Sequence, residues 1–360
     1  MLAFLLSVAA ALVVVVLVAP LARHGGRSPA RSRAVAVGTG IAYGVLGRAV
    51  FGLHYSKWDA ALPEWLTQSF VVMSLSFLFA VPLVVGFLDQ VAPEPAGRRS
   101  SFPWLRAFFA PMVPVAMMVG IMALLAIEGS ICIAMALPIF LVLGGIGGCV
   151  GLAVRKYTEG KTRASVISTM ILLPYLTAPV EEHFHAPVEV REVDNVVRIR
   201  APANVVWNEI KSVRAISPAE LSFRFSHFIG LPRPIAATLS DDRVGGVRVA
   251  TFERGLEFRE TVTHWEPNRR LSFAIRAEPS PAAALDEHVA VGGPYFDVLD
   301  GTYELEAAPD GTTVLELRSR HRLSTRFNFY ARWWTDFIMS DLQAAIMDVI
   351  RKRSEGVGSS

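Results

Sequence analysis

The uneven distribution of apolar residues limits the fold of this chain more than any other feature. Between Met1 and about Val180 they gather into runs of 17 to 25 mostly apolar residues, while from Pro187 onward apolar and charged residues alternate. Runs of that length can cross the apolar core of a bilayer. Alternation instead gives each segment one dry and one wet face, the pattern of a water-soluble domain. The pattern predicts a transmembrane helical domain over 1–180, a linker over 181–192, a soluble domain over 193–353 and a flexible tail over 354–360.

Six candidate spans are readable, at 2–21, 34–53, 68–88, 105–127, 131–154 and 164–180. The first lacks the basic start of a signal peptide and reads as a span; the last is the shortest and carries Pro174. Basic residues cluster in alternate connections: Arg23, Arg27, Arg31 and Arg33, then Arg98, Arg99 and Arg106, then Arg155, Lys156, Lys161 and Arg163. The positive-inside rule makes these loops cytoplasmic. Six spans then place the soluble domain on the outer side of a bacterial-type inner membrane, and losing the last span would move it to the cytoplasm. Gly144 and Gly148, with Gly147 and Gly151, form small-xxx-small patterns suited to close helix packing. Arg48 and Glu128 are the ionisable residues read nearest to membrane depth, towards the outer face. Glu181, Glu182, His183 and His185 lack the spacing of a known metal site and read as a polar exit from the membrane.

The net charge of +3 resides mainly in the loops between apolar runs, so the near-neutral soluble half gives no sign of nucleic-acid binding. Cys132 and Cys149 share one apolar run and outline no disulfide framework. No phosphate-binding glycine loop, Ser-His-Asp order, CxxC pair or HExxH occurs, so neither a metal nor another cofactor is implied.

In the soluble half Val196, Val197 and Ile199 mark a strand over 193–200. Pro202 opens a helix with Val206, Ile210 and Val213 on one side, and a second short helix over 219–228 ends at Gly230. Strands follow at 236–239, 247–252, 256–265, 270–276, 296–306 and 313–323, separated by turn residues such as Gly245-Gly246 and Pro267-Asn268. Their short connections make the sheet antiparallel. The chain closes with a helix over 324–353, in which Phe327, Tyr330, Trp334, Ile338, Leu342, Ala345 and Val349 form a stripe that needs a sheet beneath it.

That order, with Ile199-Arg200-Ala201-Pro202, Val206-Trp207, Val244-Gly245-Gly246-Val247-Arg248, Phe258-Arg259-Glu260-Thr261-Val262 and Trp265-Glu266-Pro267, resembles the START/Bet v 1-like (SRPBCC, polyketide cyclase-like) superfamily. The likeness covers about 193–353 and none of the apolar half. It implies an α+β helix-grip fold, a curved antiparallel sheet around a long C-terminal helix, with a cavity between them for an apolar ligand; it does not fix the chemistry.

Alternation then nominates the inward residues. Phe258, Glu260, Val262 and His264 share a face of one strand, Leu315, Leu317, Ser319, His321 and Leu323 a face of another, and Tyr303 and Leu305 lie between. With Tyr330, Trp334 and Ile338 from the helix, Phe258, Glu260, Val262, Tyr303, Leu315, Leu317, Ser319 and His321 are the candidate ligand-binding residues. The polar members have three readings. Glu260 and His321 satisfy each other or a neighbouring arginine, they orient a ligand's polar group, or His321 acts as a general base. Asp341 lies on the stripe, at its solvent edge or at the pocket mouth. The long loop over 278–294, with Asp286, Glu287 and His288, reads as a lid. The expected function is binding or transfer of a lipid-like molecule beside a bilayer. A cyclase- or dehydratase-like enzyme and a ligand-responsive sensor or assembly subunit are the alternatives.

Overall fold

The computed structural model describes residues 29–52, 75–92, 100–125, 129–181, 184–278 and 291–357. It separates into two units, Met1–His185 and Ala186–Ser360.

The first unit is helical: α1 (Pro29–Gly52), a π-helical turn (Ser76–Ala80) leading into α2 (Val81–Val91), α3 (Pro103–Phe109), α4 (Met112–Leu124), α5 (Ser130–Tyr157) and α6 (Gly160–Glu181). Two segments among the described residues are long and apolar enough to cross a membrane, Pro103–Leu124 and Ser130–Tyr157. Among the described residues two such segments stand where about six spans were read from the sequence. Helices α1 and α6 have the length but are not among these segments. Ser76–Val91 is apolar but too short. The candidate span 2–21, the first part of 68–88, and Glu128 lie outside the described residues.

Glycine sets the packing of this unit. A Cβ on Gly147 would sit 1.9 Å from the Leu83 carbonyl oxygen, one on Gly86 1.9 Å from that of Gly144, and one on Gly148 2.0 Å from that of Ala107. Only glycine lets these backbones approach so closely. The one deep charge pair described joins α1 to α2: Arg33 donates to both Asp89 carboxylate oxygens at 3.0 and 3.1 Å, and Gln90 donates to Asp89 at 2.6 Å.

The second unit is a seven-stranded antiparallel sheet of β1 (Glu189–Ile199), β2 (Pro234–Leu239), β3 (Val247–Phe252), β4 (Glu257–Glu266), β5 (Arg270–Glu278), β6 (Phe296–Ala307) and β7 (Thr313–Leu323), in the order β1-β7-β6-β5-β4-β3-β2. Helices α7 (Ala203–Lys211) and α8 (Phe225–Phe228) fill the connection between β1 and β2, and α9 (Asn328–Val357) closes the chain. This is the helix-grip arrangement. Gly245 (φ 86°) and Asn268 (φ 63°) take the left-handed conformations that the turns before β3 and β5 require.

Three details differ from the sequence reading. A bulge between Val262 and His264 shifts the alternation of β4, so His264 pairs with Ser272 and is exposed, while Trp265 turns inward opposite Leu271. Helix α9 starts at Asn328, whose side-chain oxygen accepts from the Thr325 N–H at 2.7 Å and holds the preceding turn outside the helix. It runs on to Val357, so Ser354, read as tail, is buried. Residues 279–290, most of the stretch read as a lid, lie outside the described residues.

Candidate functional site

Inward positions of the sheet follow from the strand registers. From β1 they are Arg191, Val193, Asn195, Val197 and Ile199; from β7, Leu315, Leu317, Ser319, His321 and Leu323; from β3 and β4, Arg248, Phe258, Glu260 and Val262. The eight candidate strand residues therefore share the concave face, but they divide into two environments.

Val262, Tyr303, Leu315 and Leu317 belong to a packed apolar core with Ile199, Val206, Trp207, Ile210, Leu271 and Phe273. Met347 and Ile350 from the last turns of α9 close this core, and the Trp207 and Trp265 rings meet edge to face at 5.0 Å. The other environment takes in Met339 of α9. Here the apolar groups are smaller and separate: Val193, Val298 and Met339 with Phe258 and Phe296, then Val213, Ala237 and Ala250 with Phe252 and Phe258.

Between these groups lies buried charge. Arg248 and Glu260 face each other across β3 and β4 and form a close, charge-assisted hydrogen bond, both side chains being almost wholly out of solvent. The Arg248 guanidinium lies 5.3 Å from the centre of the Phe273 ring, with the Tyr303 hydroxyl beside it. Burial lowers the pKa of this arginine, but Glu260 and Tyr303 outweigh it and hold the pKa above the ordinary value. Burial, with Glu260 adding to it, pushes the Tyr303 phenol up, so it remains a protonated donor. The Arg248 Nε has no hydrogen-bond partner among the described residues.

Glu260 is thus satisfied by an arginine and not by His321. His321 is fully buried, tilted against Phe296 at 5.5 Å, and neither of its ring nitrogens has a hydrogen-bond partner among the described residues. Asp336 of α9 comes within 3.6 Å of its Nε2 but is engaged by Arg191, which donates to it at 2.8 and 2.6 Å. Burial lowers the His321 pKa, and Arg191 adds to that while Asp336 opposes it, so the ring is neutral near neutral pH.

Ser319 accepts from Gln343 at 2.6 Å, and Gln343 also donates to the Val193 carbonyl at 3.0 Å. Asn195 completes this bridge by donating to the Gln343 side chain and the Ser340 carbonyl at 2.9 and 2.8 Å. Together with Arg191–Asp336, these bonds clamp one side of α9 to β1. On the other side Asp341 accepts from the Ser226 N–H at 2.8 Å and Arg224 reaches Asp348, so Asp341 anchors α8 rather than lining a mouth. Trp334 stacks on Phe225 of α8 at 6.3 Å, and Tyr330, Trp334 and Ile338 are half-buried on this side.

Sequence reasoning missed Arg248, Gln343 and Asn195. Arg248 was within reach of it, since alternation in β3 places it on the face of Ala250 and Phe252. What was lacking was the register that sets it opposite Glu260.

No family model matches the chain, and no curated protein matches it. Among solved structures it is similar to norcoclaurine synthase from Thalictrum flavum, at 14% identity over 48% of this chain and 98% of that one, with a TM-score of 0.31. It is also similar to a START superfamily protein from Mycobacterium smegmatis (9% identity, 46% of this chain and 98% of that one, TM-score 0.32). A third is a protein from Nitrosospira multiformis (17% identity, 47% and 100%, TM-score 0.29). At such scores these are resemblances only, and the helix-grip assignment rests on the strand order and the terminal helix themselves.

Proposed function

We propose that the second unit binds an amphiphilic molecule whose apolar body lies under the first half of α9 and whose polar group meets Arg248, Glu260 and Tyr303, and that the first unit holds it beside a bilayer. The observation that carries this reading is the buried Arg248 Nε, which has no acceptor among the described residues. An unmade hydrogen bond at a buried donor costs about 1–3 kcal/mol, so a ligand carboxylate, carbonyl or hydroxyl there is stabilised by what the fold leaves unsatisfied. The outward apolar residues of α4 and α5, among them Val113, Leu124, Val142 and Ile146, support the membrane part, as does the length of the two apolar segments. The outer-side placement read from loop charge counts 164–180 as a span, and that segment is not one of the two that qualify.

Native mass spectrometry of the full chain tests the ligand. A bound apolar species with an oxygen-bearing head should be retained by the wild-type protein and lost from the Arg248→Met/Glu260→Leu double variant, which removes the charges as a pair. Equal ligand content in both folded proteins overturns the assignment. A second reading, catalysis in the same interior, is favoured by the neutral His321, whose ring nitrogens have no hydrogen-bond partner among the described residues; turnover lost with ligand retained in His321→Phe would identify it.

A further inference from the structure

One apolar face of the second unit is turned outward and takes no part in the interior. Along α9, Phe329, Trp333 and Phe337 recur at intervals of four and so project from one side of the helix, at 56%, 71% and 49% exposure. The surface continues onto the neighbouring segment. The Phe337 ring lies 5.5 Å from Phe225, Phe225 lies 6.4 Å from Phe228, and Phe228 lies 6.1 Å from Phe223. Phe228 and Phe223 are themselves 73% and 80% exposed. A connected, outward aromatic surface of this kind marks an interaction site rather than scattered surface residues.

We propose that this face seats the second unit on the surface of an anionic lipid bilayer, an inference that rests on the membrane reading given above. Its composition is the first argument. The exposed residues are Phe and Trp, whose rings favour the boundary between headgroups and acyl chains. Charge is the second. Arg332 lies 6.0 Å from the Trp333 ring centre, and the exposed Arg233 lines one cleft with Arg224, His227, Phe223 and Phe228, an arrangement suited to lipid phosphates beside the anchoring rings. The nearby carboxylates are already engaged: Asp341 by the Ser226 N–H, Asp348 by Arg224, Asp336 by Arg191 and Glu253 by the Arg233 N–H. Chain path is the third. Asn328, the first residue of α9, donates to the Pro187 carbonyl at 2.8 Å, so the unit's own first residues lie at the end of α9 that carries Phe329 and Trp333. What precedes those residues is the unit with the two span-length apolar segments.

The test uses the full chain, with Cys132→Ala and Cys149→Ala, in phosphatidylcholine–phosphatidylglycerol vesicles. Spin labels are placed singly by Phe228→Cys, Phe337→Cys and, on the outer face of the sheet, Arg259→Cys. Labels at 228 and 337 should lose broadening by aqueous nickel and gain it from oxygen, while the label at 259 keeps the aqueous response. Equal aqueous response at all three positions, in a chain that floats with the vesicles, overturns the docking face and leaves the tether intact. Failure to float with vesicles removes the tether and the docking face together. Dipolar coupling between labels at 337, showing that a second copy covers the face, also overturns the proposal.

Discussion

The two units achieve close packing by opposite means. In the helical unit the tightest contacts occur where side chains are missing, as at Gly86, Gly147 and Gly148. In the sheet unit the interior is filled by large side chains, such as Trp207, Trp265, Phe273 and Tyr303. A helix apolar all round gains little by choosing one apolar face over another, so small residues that admit a neighbouring backbone decide which faces meet. A sheet with one wet side has that choice made by water, and its interior is filled by volume. Buried charge follows the same division. Arg33–Asp89 joins two helices, whereas Arg248–Glu260 joins two strands already paired by backbone, so its charge is not needed to bring them together.

The largest test of this contrast is Gly147→Leu. The added side chain meets the Leu83 carbonyl on rigid backbone, and a loss of more than about 4 kcal/mol is expected, seen as loss of helical unfolding cooperativity in the first unit. A folded variant of unchanged stability would show that the close approach of α2 and α5 does not hold that unit together.

Next is Glu260→Leu, which leaves Arg248 buried without its counter-ion and should cost about 3–5 kcal/mol in denaturant unfolding. Adding Arg248→Met should restore most of that loss. If the double variant is as unstable as the single one, the pair is structural in itself and the ligand reading loses its support.

A smaller effect is expected from pH. Histidines of the unfolded chain take up protons near pH ~6.5. His321, held neutral chiefly by burial and also by Arg191 against the pull of Asp336, takes one up only at lower pH. The unfolded state therefore binds more protons below that range, and stability falls as the pH drops from about 6.5 towards the folded-state value while staying level above it. His321→Phe should flatten part of this slope in thermal melts. His227, whose pKa burial also lowers, adds a second contribution of the same sign.

The smallest change is Arg198→Ala. Its partner Asp310 is 3.5 Å away and both side chains are more than half exposed, so the melting temperature should barely move, within about 0.5 kcal/mol. A large loss would mean that the outer face of the sheet is covered in the working protein.

Much of the second unit was legible because period and turn chemistry are local. Strands β3 to β7 lie within a residue or two of where Gly245, Asn268 and Gly311 place them, and the inward set of β7 follows from alternation alone. The bulge at Val262/His264 was not legible, because one extra residue in a strand leaves no compositional mark. Nor were the partners of the polar candidates. Glu260 meets Arg248, Ser319 meets Gln343 and His321 meets no donor or acceptor among the described residues, pairings set by register and by the rotation of α9. In the first unit apolar length was read as span number. Among the described residues two segments are long and apolar enough.

By itself the sequence determined the division into an apolar helical part and an alternating sheet part, the order of strands and helices, and the close-packing glycines, since each depends on periods or residue sizes within a short stretch. Only the tertiary structure decided that Arg248 is buried opposite Glu260, that α9 buries Met339 and Gln343 while turning Trp333 and Phe337 outward, and that His321 finds no hydrogen-bond partner among the described residues. These outcomes depend on which distant segments meet, and that is fixed by the packing of whole elements against one another.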